Sequence, residues 1–199
     1  MILRFLMDGL RRLLREERGS IAVESVLILP ILTWCYAGTF VYFDAFRAES
    51  INAKATYAIA DIMSRETELV PPTYFDSLLR VHRLMTFAQL PTRLRVSVLE
   101  WDDDRKDHEI VWSVARGDGG INPMTDAELG EDSPIAAKMP NMLDGEKLIV
   151  VESWLPYEPV FNVGLGGFVF EGFTVTRPRY APQVCYDPGN TGDVNDALC

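Results

Sequence analysis

Twenty-four consecutive residues, Ser20 to Phe43, carry a single charge among them, that of Glu24. A hydrocarbon core of about 30 Å is crossed by about 20 helical residues. In lipid a backbone must satisfy its own polar groups, so a run of this kind has to be a helix. Trp34, Tyr36, Tyr42 and Phe43 weight its far half with aromatic rings, as the edge of a bilayer favours. Residues 1–19 carry five arginines (Arg4, Arg11, Arg12, Arg15, Arg18) against three acids. By the positive-inside rule this end stays cytoplasmic and the body lies across the membrane. A cleaved secretory signal has a shorter apolar core and a small-residue cleavage site, and neither is evident. A lipoprotein signal needs a small residue before its cysteine, whereas Trp34 precedes Cys35. The expected organisation is a leader at 1–19, a transmembrane helix at 20–43 and one further domain at 44–199.

Charge narrows what that domain meets. Arg47–Cys199 carries 14 Lys and Arg against 24 Asp and Glu. An acidic body of this kind repels nucleic acid and anionic lipid surfaces, and nucleic-acid binding is set aside. Of the three cysteines, Cys35 lies in the apolar run, and Cys185 and Cys199 lie 14 positions apart near the C-terminus. In an oxidising compartment that pair would close a small loop worth about 3 kcal/mol by chain entropy; in a reducing one both stand as free thiols.

Past the span, Ala48, Ile51, Ala55, Ile59 and Ile62 recur at spacings of three and four, an amphipathic stripe. With no Gly or Pro before Pro71-Pro72, one helix is expected from Ser20 to Leu69. Tyr74, Leu78, Val81 and Met85 predict a second helix ending before Pro91, with His82 on or beside its apolar face. The period then changes to two. Arg93–Trp101 alternates Leu94, Val96 and Val98 against Arg95 and Ser97, a half-buried strand. Ile110–Gly117 reads as its hairpin partner across a charged connection. Gly117–Leu143 reads as a long loop with a helical turn near Ile135–Met139, and Glu146–Tyr157 as a strand. Asn162–Gly172 reads as a glycine-rich loop, and Phe173–Tyr180 as a last strand that Pro178 ends or confines to an edge. Helices followed by antiparallel strands give an α+β fold, with a long N-terminal helix on a small sheet.

Catalytic and metal signatures do not assemble. The two histidines, His82 and His108, belong to different elements. No G-x-S-x-G, C-x-x-C or H-E-x-x-H occurs. The acidic stretches Asp102–Glu109 and Asp187–Asp196 both miss the EF-hand pattern. Gly164–Gly167 is no dinucleotide fingerprint. No catalytic residue, cofactor or metal ligand is therefore assigned.

The boundary between leader and span, "RGSIAVESVLILP", resembles a type IV prepilin processing site: a basic leader, a terminal Gly and a Glu at the fifth position beyond it. "GSIAVESVLILP" further resembles the TadE-like proteins of the tight-adherence (Flp-type) pilus systems through Gly19, Ala22, Val23, Glu24 and Pro30. "VTRPRY", Val175–Tyr180, is similar to the C-termini of that family. Ser25 departs, since an aromatic usually follows the Glu in this pilin class. The resemblance implies a pilin-like fold in a bacterial inner membrane and a periplasmic domain. It also implies cleavage between Gly19 and Ser20 by a prepilin peptidase, and other pilins and pilus assembly proteins as partners besides membrane lipid. A minor pilin of this kind enters the extracellular fibre or stays at its base. An uncleaved bitopic protein with a periplasmic binding or sensory domain shares the same layout.

The spacing also has a physical reading. Glu24 stands only about 7 Å of helix rise beyond Gly19. There its carboxylate either snorkels to the cytoplasmic interface or, after a cut, pairs with the new α-amine of a neighbouring subunit's Ser20.

Overall fold

The computed structural model describes residues 20–130 and 133–199, and the leader with its five arginines and Gly19 lies outside them. The chain forms two compact units. One comprises the chain up to Asp44 with Pro159–Leu165; the other comprises Ala45–Glu158 and Gly166–Cys199.

Helix α1 is described over Ser20–Ser64 and runs through Pro30. In its first part Thr33 Oγ1 donates to Leu29 O and Thr39 Oγ1 to Cys35 O, at 2.8 and 2.9 Å. Hydroxyls so bonded expose little polarity on an apolar helix. The phenyl ring of Phe161 lies edge-on to that of Phe40, with centroids 6.1 Å apart, within the first unit.

The second unit is an α+β domain. The second part of α1 and helix α2 (Pro72–Thr86) pack with a four-stranded antiparallel sheet. Its strands are β1 (Arg93–Asp102), β2 (Asp107–Gly117), β3 (Lys147–Tyr157) and β4 (Phe168–Thr176), in the order β2-β1-β3-β4. Ile59, Ala60 and Met63 of α1 join Phe75, Leu78 and Leu79 of α2 against Leu94, Val96, Val98, Trp112, Val114, Ile149 and Val151 of the sheet. A second, smaller cluster joins Leu99 and Val150 to Met124 and Leu129 of the β2–β3 connection.

The expected elements are present, with instructive shifts. Helix α1 ends at Ser64 rather than Leu69. Arg179 N–H donates to Ser64 O at 2.8 Å, satisfying a terminal carbonyl, and Val70 must be extended to bridge Tyr186. Prolines therefore do not stop this helix; Pro72 opens the next one, where its missing N–H has no partner to lose. The buried face of α2 is Phe75, Leu78, Leu79, His82 and Thr86, not the stripe through Tyr74, Val81 and Met85. The rings of Trp112 and Tyr186 both meet Phe75, at 5.7 and 5.5 Å, and fix that rotation. Strand β4 starts at Phe168, inside the stretch expected to be loop, and ends before Pro178.

The largest difference concerns β1. Arg95 and Ser97 occupy the face expected to be solvated, yet are 5% and 0% exposed. The β2–β3 connection covers them. Arg95 Nε donates to Glu152 at 2.6 Å and its Nη1 to Glu128 of the connection at 2.8 Å. Ser97 Oγ meets Ser113 Oγ at 2.8 Å, and Ser113 Oγ accepts from Met124 N–H at 2.7 Å. Polar side chains are buried here because each has a partner.

The C-terminal tail closes the domain. Cys185 and Cys199 form a disulfide with Cα atoms 4.4 Å apart. Val184 is in the core, and its carbonyl accepts from Trp112 Nε1 at 2.8 Å. Asp187, 2% exposed, accepts a backbone N–H from Gly192 at 2.8 Å. That bond, with those of its neighbours Thr191, Asn190 and Gly189, holds the carboxyl below its ordinary range.

Candidate functional site

The surface that sets this chain apart is the first part of α1. Ile21, Val23, Val26, Leu27, Ile31, Leu32 and Trp34 are each more than half exposed, as are Tyr36, Tyr42 and Phe43. On the same helix Ala55, Ile59 and Met63 are fully buried. One helix thus carries two kinds of apolar surface. The later one is a stripe matched to a sheet, and the earlier one runs all round the helix, as a lipid or partner-helix environment requires. Among the described residues α1 is the one helix long and apolar enough to cross a membrane.

Within that surface Glu24 is exposed and sits in helix between Val23 and Ser25. Among the described residues no cation pairs with it. A carboxylate on so apolar a surface is stable in a nonpolar surrounding only if it reaches an interface or meets a cation. Ser20 is the first described residue of α1, and Gly19, the other residue of the expected cleavage site, lies outside the described residues. Cys35 is a free, exposed thiol on the same surface.

The other polar groups weighed in the sequence have structural partners. His82 is 0% exposed; its Nε2 lies 3.0 Å from Asn52 Oδ1, which also accepts from Ser153 Oγ at 3.1 Å. Ser153 Oγ is 2.6 Å from Thr56 Oγ1, so α1, α2 and β3 share one buried polar cluster. Burial, then the nearby Arg83 charge, pushes the His82 pKa down to about 4. His108 lies at the start of β2, its ring 4.8 Å from that of Trp101. In the β1–β2 turn Arg105 bridges Asp102 and Glu109, and Lys106 pairs with Asp103. In the first of the two acidic stretches, Asp102, Asp103 and Glu109 therefore already hold cations of the chain itself. Among the described residues no three His, Cys, Asp or Glu side chains gather as metal ligands would.

Asn162–Gly172 was expected to be a glycine-rich loop and Pro159–Phe161 was given no role, yet Pro159–Leu165 belongs to the same unit as the exposed apolar helix. The available signal was charge: from Pro159 to Phe170 there is none, in an otherwise acidic domain.

Fold and surface together define a class: an α+β domain, and a first helix whose early part is exposed and apolar all round. No family model matches the chain, and comparison with curated proteins and with solved structures returns no match.

Proposed function

We propose that the protein is a TadE-like minor pilin or pseudopilin, a non-enzymatic component of tight-adherence pilus biogenesis. Residues 20–43 hold it in the bacterial inner membrane, with the leader cytoplasmic and the α+β domain periplasmic. The observation that carries this reading is the divided helix. An all-round apolar half, bearing one acid five positions after Gly19, continues without a break into a half packed on a small sheet. The disulfide Cys185–Cys199 supports an oxidising compartment for the domain.

The mechanism is structural. The prepilin peptidase performs the one covalent step, hydrolysis of the Gly19–Ser20 peptide bond. This creates a cationic α-amine on Ser20. Glu24 of a neighbouring subunit then finds the cation it lacks among the described residues, and the pairing sets the register of packed helices. The acidic domain faces envelope partners.

A second reading follows from Ser25, where the pilin class carries an aromatic: a permanently anchored, uncleaved protein with a binding or sensory domain. Intact mass of the membrane-extracted protein, from cells with and without the peptidase, separates the two. Processing yields a chain starting at Ser20 only where the peptidase is present. A chain starting at Met1 in both strains overturns the processed reading. Glu24→Ala abolishes pilus assembly if the acid sets register and leaves it unchanged if the protein is a sensor.

A further inference from the structure

We propose that the β3–β4 loop, Pro159–Leu165, is a second membrane contact that lies in the lipid interface beside α1. The inference rests on the reading of α1 as a membrane span.

Depth comes first. Phe40 stands twenty residues beyond Ser20, which is about 30 Å of helix rise, the thickness of a hydrocarbon core. A span that begins near Ser20 therefore places Phe40 at the far interface. The Phe161 ring packs edge-on against Phe40, so the loop is held at that level.

Chemistry comes second. The loop reads Pro-Val-Phe-Asn-Val-Gly-Leu and has no charge, and the nearest acids in sequence, Glu158 and Glu171, stand outside it. Val160 is 70% exposed and Phe161 49%. A loop folded onto a protein core would bury these groups, whereas here they continue the exposed apolar surface that α1 presents to lipid. Aromatic rings at the ends of spans favour this depth.

Backbone comes third. Seven residues are too few to cross a bilayer, and an irregular backbone has no place in dry hydrocarbon. At the interface water satisfies most of its amides. The turn meets part of the need itself: Gly164 N–H donates to Asn162 Oδ1 at 3.3 Å, and Gly164 takes φ +97°, a conformation open to glycine. An apolar turn with a self-bonded tip can be pressed into headgroups without unfolding.

The test uses the full chain with Cys35→Ser, reconstituted in vesicles of phosphatidylethanolamine and phosphatidylglycerol. Val160→Cys, Ile28→Cys and Asp104→Cys each carry an environment-sensitive fluorophore in separate preparations. Lipids with nitroxides near the headgroup or deep in the acyl chain serve as quenchers. The expected result is blue-shifted emission at position 160, quenched by the shallow nitroxide. Position 28 is quenched by the deep one and position 104 by neither. Quenching at 28 without quenching at 160 overturns the loop contact while the span stands. Absence of quenching at both 28 and 160 overturns the span itself, and the loop contact with it.

Discussion

Gly172→Ala is the substitution in which local propensity and tertiary packing predict opposite signs. Gly172 lies within β4, pairs with Ser153 of β3, and its φ is not in the left-handed region. Taken as an isolated strand position, alanine there stabilises by about 0.5–1 kcal/mol, since glycine gives up more backbone freedom on folding. In the folded domain the added methyl would fall inside van der Waals contact of Ser153 Oγ and Thr56 Oγ1, and 3.1 Å from Asn52 Nδ2. Those hydroxyls are bonded to each other and cannot both turn away while keeping their partners. Overpacking a filled core costs about 1–3 kcal/mol, and a buried hydroxyl left without a partner about 1–3 kcal/mol more. The net expectation is a loss of about 2–4 kcal/mol after the backbone gain is subtracted. Urea unfolding of the detergent-solubilised full chain, followed by near-UV circular dichroism, reads it. With a slope of about 2 kcal/mol per molar, the midpoint falls by about 1–2 M. In a Ser153→Ala background the same change costs less, because one of the two obstructing oxygens is gone. An unchanged or raised midpoint would refute the close approach of α1 to the β3–β4 pair.

Two further outcomes follow from buried charge. His82 has its folded pKa near 4, below its ordinary value near 6.5, because burial disfavours the imidazolium. The unfolded chain therefore binds more protons between those values, and stability falls as pH drops through the window. The drop is roughly 3 kcal/mol at about 1.4 kcal/mol per pH unit. His82→Gln should flatten the slope between pH 7 and pH 4 relative to wild type, and equal slopes for the two would contradict the assignment. Arg95→Met leaves Glu152 as a buried carboxylate without its main partner, at a cost of about 3–5 kcal/mol. Arg95→Met with Glu152→Leu should recover most of that in the same urea assay, and equal losses in single and double variants would count against the pair.

Much of the chain was legible because its signals are local. Uncharged length marks the apolar part of α1, period two marks β1 and β3, and the charged connection marks the hairpin between β1 and β2. The candidate site was legible in the same way, since Glu24 announces itself as the one charge in an apolar run. The rotation of α2 was not legible. Tyr74, Val81 and Met85 are as apolar as the residues that won, and only the ring cluster of Phe75, Trp112 and Tyr186 decides between the faces.

By itself, then, the sequence determined the helix that needs a nonpolar surrounding, the strand-forming segments and the acid placed near the helix start. Each depends on residues within a few positions of one another. Tertiary structure alone decided that Arg95 and Ser97 are buried, that His82 joins Asn52, Ser153 and Thr56, that Gly172 is a spacer, and that Phe161 meets Phe40. Each of those joins residues that are distant in sequence. A polar side chain can enter a core only when the fold delivers its partner, and no local pattern carries that information.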